Sequence, residues 1–191
     1  MEKFKAYLYS IRYFVLFAFL VFIFGIFYGY LAAQTSPDEA KMILERIKET
    51  LEPIYAMGPF GQFLFIILNN GLTLFFILLL AVIFGIFPFL VLLSNGTILG
   101  MVAFFSQQQF SWSVFFLGTL PHGLIEIPVF ILAGAIGLKI GKSVFQRVFK
   151  KEGSIKKELS EALECFLKIL LPLLAIAAAI EIFITTKLLG I

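Results

Sequence analysis

Apolar stretches of about bilayer length recur five times along the chain, near 11–33, 60–84, 86–106, 113–138 and 163–187. Each predicts a helix, because only a helix closes its own backbone hydrogen bonds within one segment in hydrocarbon. Two polar blocks interrupt the pattern. The first, 34–59, reads QTSPDEAKMILERIKETLEPIYAMGP. Ser36 suits a helix N-cap, Pro37 the first helical position, and Asp38 and Glu39 the first turn. Met42, Ile43, Ile47 and Leu51 then form an apolar stripe among Lys and Glu. The spacing predicts an amphipathic helix over about 37–52, lying on the membrane or against the bundle, with Pro53 and Gly58-Pro59 ending it. The second block, 139–160, is basic: KIGKSVFQRVFKKEGSIKKELS. The expected architecture is an all-α, polytopic membrane helix bundle forming one domain over residues 1–191.

Composition sharpens this picture. Of 191 residues, 61% are hydrophobic, 14% are charged and 25 are Phe. A soluble domain of this size could not hide so much apolar surface. The charged, then apolar, N-terminus resembles a signal peptide, but its apolar run continues to Ala33 and is read as a retained first span. The single Cys, Cys165, is a packing residue and reports no redox compartment.

The positions of the charges predict orientation. Lys3, Lys5 and Arg12 precede or enter the first span, and Lys139, Lys142, Arg147, Lys150, Lys151, Lys156 and Lys157 occupy the second block, ten in all. The opposite side carries Lys41, Arg46, Lys48 and Lys187, four in all, and the 34–59 segment adds five acids. This bias places the N-terminus and the basic block in the cytoplasm and the amphipathic helix outside. The block is expected to serve as a topology signal that also attracts anionic lipid headgroups. The expected location is the cell membrane, with the bilayer as the first partner. A membrane or envelope protein partner and a homo-oligomer are further expectations, and no nucleic acid is expected.

Few strongly polar residues fall at membrane depth. They are Asn69 and Asn70 in the second span, Asn95 in the third, His122 and Glu126 in the fourth and Glu181 in the fifth. An unpartnered charge there costs roughly 3 kcal/mol on insertion scales. These groups are therefore expected to converge as a buried polar cluster in the bundle interior. His122 and Glu126 are four residues apart and share a helix face, so a hydrogen bond between them is expected. Pro121 and Pro128 flank them, and the carbonyls they free near 117 and 124 suggest a loosened helix that could hold a cation, water or polar ligand. Three roles stay open: a structural hydrogen-bonded lock, a proton or ion site, and a metal site built from His122, Glu126 and Glu181 for a divalent ion such as zinc. Small residues continue the same face at Gly134, Gly137 and Gly141, where a neighbouring helix can approach closely. Gly25–Gly29, Ala81–Gly85 and Gly96–Gly100 are weaker signals of the same kind.

Four stretches, in order, carry a family resemblance: NN at 69–70, SNGTILG at 94–100, LPHGLIEIPVFILAGAIGLKIG at 120–141 and IEIFIT at 180–185. Over about 60–186 the chain resembles the stage II sporulation protein M (SpoIIM) family of integral membrane proteins, most specifically in the PHGxxE core and the AGxxGxxxG tail. The resemblance implies a membrane anchor: sporulating members act with a peptidoglycan hydrolase machinery during engulfment of the forespore, and other members occur where no spore forms. Nothing marks an enzyme, since the chain has no Walker-type phosphate loop, GxGxxG, CxxC or HExxH. The leading expectation is a non-enzymatic scaffold or anchor for a cell-envelope or membrane complex. The alternative is a small transporter or channel using the His–Glu pair, with an intramembrane metal-dependent hydrolase a distant third.

Overall fold

The computed structural model describes residues 2–185, with side chains for all of them except 2–6 and 55. Residues 186 and 187 of the expected last span, and with them Lys187, lie outside the described residues. The described chain is an all-α bundle with five helical stretches long and apolar enough to cross a membrane. α1 runs Glu2–Thr35, the amphipathic α2 Pro37–Tyr55, α3 Pro59–Leu79, α4 Ile86–Gln109 and α5 Trp112–Lys150. The last span is one continuous rod, Ile155–Thr185. It is built from α6 (Ile155–Cys165), a wide π turn at Phe166–Leu170, α7 (Leu171–Ile180) and a second π turn at Glu181–Thr185.

The most extensive helix contact joins α1 and α4. It is made by backbone meeting backbone. A Cβ built on Gly25 would lie 2.6 Å from the carbonyl oxygen of Leu93, and one on Gly96 would run into the carbonyl of Phe22. Gly29 and Gly100 are tighter still, set against the backbone of Thr97 and of Ile26 and Tyr30 respectively. The two small-xxx-small pairs, each a weak signal alone, thus form one crossing. In lipid no hydrophobic force draws helices together, so close dispersion contact of this kind has to do it. The outer faces of α1 carry Phe19, Leu20, Phe24 and Phe27, all exposed, where a bilayer supplies acyl chains.

α5 is the most buried span. Its face Val129, Ala133, Ile136, Ile140 packs with Leu74, Ile77 and Leu78 of α3 and Leu170 and Leu174 of the last rod in the main core. Gly134 faces the Leu92 side chain, Gly137 the Pro88 ring, and Gly141 the backbone of the α3–α4 turn at Phe84 and Gly85. That turn needs a left-handed residue, and Gly85 supplies it at φ 73°. At 39 residues α5 is about 58 Å long, well beyond a hydrocarbon core of roughly 30 Å. Its second half therefore carries the basic block past the length of a span as helix, still packed through Ile140 and Val144 against Ala162 in the main core, and ends at a four-residue link, 151–154, before α6.

An inner network ties this extension down. Lys139 lies 2.9 Å from Glu158, with both side chains largely buried, in a charge contact rather than a directed hydrogen bond. The same ammonium stands 4.7 Å over the Tyr7 ring and 3.5 Å from Ser10. At the opposite end α2 lies across the bundle, with Ala40 and Leu44 against Met101 and Phe104 while Met42 and Ile43 remain exposed.

Three local expectations need correction. Ser36 stands at the N-cap of α2, but its side chain makes no capping bond. Pro53 lies inside α2 rather than ending it. Pro121 and Pro128 likewise sit inside an unbroken α5. Within a packed bundle, neighbouring helices and small backbone adjustments can absorb a lost donor, so proline need not open the helix.

The glycine crossing makes a testable ranking. Gly100→Ala and Gly29→Ala place a methyl against backbone that cannot rotate away, with an expected loss of about 1–3 kcal/mol typical of overpacking. For Gly134→Ala the nearest atoms all belong to the Leu92 side chain, which can shift, and the change is expected to cost less. Gly58→Ala has nothing within 4 Å and should be neutral. Thermal unfolding midpoints in detergent check this order, and equal midpoints for Gly100→Ala and Gly58→Ala would contradict it.

Candidate functional site

Three helices bring polar side chains to one level of the bundle: α3, α5 and the last rod. α5 supplies His122 and Glu126, one helical turn apart. The rod supplies Glu181 and Thr185 from its second π turn, a widened geometry that recurs at functional positions. One ring nitrogen of His122 and one carboxylate oxygen each of Glu126 and Glu181 all lie within 4.8 Å of one another. All three residues are half-buried.

The partners of this trio are specific. Asn70 Nδ2 of α3 donates to Glu126 Oε1 at 2.8 Å, and Asn69 Nδ2 donates to Asn70 Oδ1 at 3.2 Å. The chain Asn69–Asn70–Glu126 thus fixes one carboxylate oxygen and leaves the other free. His122 Nδ1 stands 3.5 Å from the buried Thr185 Oγ1, which is itself 3.5 Å from the carbonyl of Ile180. The hydroxyl can accept from Nδ1–H while donating to the carbonyl, or donate to an unprotonated Nδ1, so either tautomer of His122 satisfies the contact. The Glu181 N–H bonds back to the carbonyls of Ala177 and Ala178, while its carboxylate has no hydrogen bond or ion pair among the described residues.

The expected hydrogen bond between His122 and Glu126 is not formed among these contacts. Each side chain reaches to a different neighbour, Glu126 to α3 and His122 to the rod, because an interhelical partner is available to both. Asn69 is exposed and touches the cluster only through Asn70. Asn95 donates to the carbonyl of Val91 on its own helix at 2.9 Å. It nevertheless borders, with Thr119, His122, Glu126, Phe22 and Phe130, an open cleft of about 150 Å³ on the α4 side of α5. His122 and Glu126 therefore connect two environments, the Asn70–Glu181–Thr185 side and the cleft. Thr185 as the histidine's partner was not singled out from the sequence, although its place four residues after Glu181 puts it on the same helix face. Gly134, Gly137 and Gly141 lie farther along α5 and act in helix packing.

Chemically, the arrangement offers an imidazole nitrogen and two carboxylates, two of them oriented by second partners. It can bind a proton or a cation, and it can tie three helices together.

Comparison with known proteins agrees with the architecture. An uncharacterized protein, MJ0793, of the archaeon Methanocaldococcus jannaschii is 32% identical over 128 residues, covering 64% of this chain and 70% of its own. No solved structure matches. The Stage II sporulation protein M family matches over residues 18–186, a range that takes in most of α1, the glycine crossing and every residue of the polar cluster. Five apolar spans and a match over most of its length make this chain a multi-pass membrane protein of the SpoIIM family.

Proposed function

We propose that the protein is a non-enzymatic scaffold or anchor in the cell membrane, with its N-terminus and basic block in the cytoplasm and α2 outside. The observation that carries this reading is the build of α2. It is pinned by Ala40 and Leu44 across one end of the bundle, yet it holds Met42 at 62% and Ile43 at 46% exposure between charged neighbours. A helix fixed on one side and apolar on the other suits a membrane or envelope protein partner. At the opposite end, Lys142, Arg147, Lys150 and Lys151 are exposed beside Phe145 and Phe149, whose rings are 4.6 Å apart. Basic and aromatic side chains together suit anionic headgroups at an interface.

The transporter reading has one observation in its favour: His122 and Glu126 border an open cleft and are not sealed inside the bundle. It predicts cation or proton flux in liposomes that Glu126→Gln abolishes while leaving the protein folded. Absence of flux in wild-type vesicles would dismiss it.

Orientation has a direct test. In a Cys165→Ala background, a cysteine at position 46 is expected to react with a membrane-impermeant reagent on intact cells, and one at position 151 is not. The reverse pattern would refute the proposed sidedness.

The scaffold reading predicts that a photo-crosslinker at Met42 yields a discrete protein adduct in native membranes. The same probe at Phe76, on the lipid-facing side of α3, should yield none. Ile43→Glu should remove the adduct without lowering the level of the protein. Lipid adducts alone at Met42 would leave the scaffold without its partner surface and overturn the reading.

A further inference from the structure

We infer that His122, Glu126 and Glu181 form a divalent metal site that prefers zinc or a similar transition ion. This goes beyond both readings above, because a scaffold and a transporter could each carry it.

The donor set is the first argument. Imidazole nitrogen with carboxylate oxygen suits zinc and its neighbours, whereas calcium and magnesium prefer oxygen alone. Three protein ligands are enough for zinc, with a fourth position left to water. Around a tetrahedral ion the ligand atoms would stand roughly 3.4 Å apart. The three here already lie within 4.8 Å of one another, so modest side-chain rotation closes the set.

Charge is the second argument. Two carboxylates this close, in a setting where apolar spans surround them, need a compensating positive charge or a proton. The described residues place no Lys or Arg in an ion pair with either one. The Lys139–Glu158 pair belongs to the other end of α5. A divalent cation neutralises both carboxylates at once while the imidazole stays neutral.

Orientation of the ligands is the third argument and the most specific. Metal-bound histidines and carboxylates are commonly held by hydrogen bonds on their far atoms. Here Thr185 engages Nδ1 of His122, and Asn70 engages Oε1 of Glu126. Each contact engages one atom and leaves the second ring nitrogen of His122 and the second carboxylate oxygen of Glu126 unengaged by that partner. A simple helix lock would not require the third group, the Glu181 carboxylate, to stand beside these two with no side-chain hydrogen bond among the described residues. An open cleft borders His122 and Glu126, two of the three ligands.

The test uses the full-length protein in detergent, stripped with a chelator and titrated with zinc. Calorimetry and elemental analysis are expected to show one zinc per chain. Glu181→Gln and His122→Gln, both able to keep local hydrogen bonds, should weaken binding by at least tenfold. Asn70→Ala, which touches no metal, should weaken it by ten- to a hundredfold with the stoichiometry unchanged. Cobalt in place of zinc should give visible d–d bands that the Glu181→Gln variant loses. Circular dichroism and gel filtration establish that each variant is folded. Zinc bound with equal affinity by wild type and the Glu126→Gln, Glu181→Gln double variant would overturn the site, as would wild-type protein that binds no zinc.

Discussion

The structure depends on how closely α1 and α4 approach. Gly25 and Gly29 of one helix meet Gly96 and Gly100 of the other, and a single methyl at any of these positions would strike backbone. In lipid this contact gains its stability from dispersion, which falls off steeply with separation. The crossing brings α1 and α4 together as one slab. Leu92 and Pro88 on α4 then face Gly134 and Gly137 of α5, so the third helix approaches the slab through its own small residues. α3 is bound to the same surface by the tight turn at Gly85, which rests against Gly141.

That arrangement decides where the polar groups go. With α5 held against α4 by one face, its opposite side meets α3 and the last rod. Glu126 then has a single strong neighbour on α3, Asn70, and His122 has Thr185 on the rod. The rod contributes Glu181 at the regular end of α7 and Thr185 from the π turn that follows, whose wider winding shifts Thr185 from the register a continued α-helix would give it. The polar cluster is thus a product of apolar and glycine packing elsewhere, and disturbance at Gly134 or Gly137 would be felt at Glu126 through the position of α5.

The sequence made the helices and the cost of the polar groups plain, because both follow from composition along the chain. Bilayer-length apolar runs mark spans, and Glu or His inside them demands a partner. Pairing was less legible. Gly25–Gly29 and Gly96–Gly100 are each common patterns, and only three-dimensional contact shows that they are two halves of one crossing. The same holds for His122. Four-residue spacing suggests Glu126 as its hydrogen-bond partner, while Thr185, 63 positions away, is nearer to doing that work. Proline was over-read for a related reason: Pro121 and Pro128 weaken a helix in isolation, but α5 keeps its course within the packed bundle. The π turns escaped notice altogether, although Pro172 just beyond the first of them removes a backbone donor there.

The polar trio remains the feature that packing does not require. A protein interior generally tolerates, and often prefers, apolar side chains of similar volume in place of buried ionic groups. On its own rod Glu181 has buried apolar neighbours in sequence, Ala177, Ala178 and Ile182. A leucine there would spare the cost of desolvating a carboxylate and would forfeit no hydrogen bond or ion pair among the described residues. Glu126 differs, since Asn70 would lose its acceptor if it were replaced by an apolar residue. The asymmetry separates two positions within one cluster. Glu126 and Asn70 tie α5 to α3, whereas the Glu181 carboxylate has no hydrogen bond or ion pair among the described residues. In the metal site inferred above, that carboxylate would act as a ligand beside His122 and Glu126, with which it shares a 4.8 Å neighbourhood.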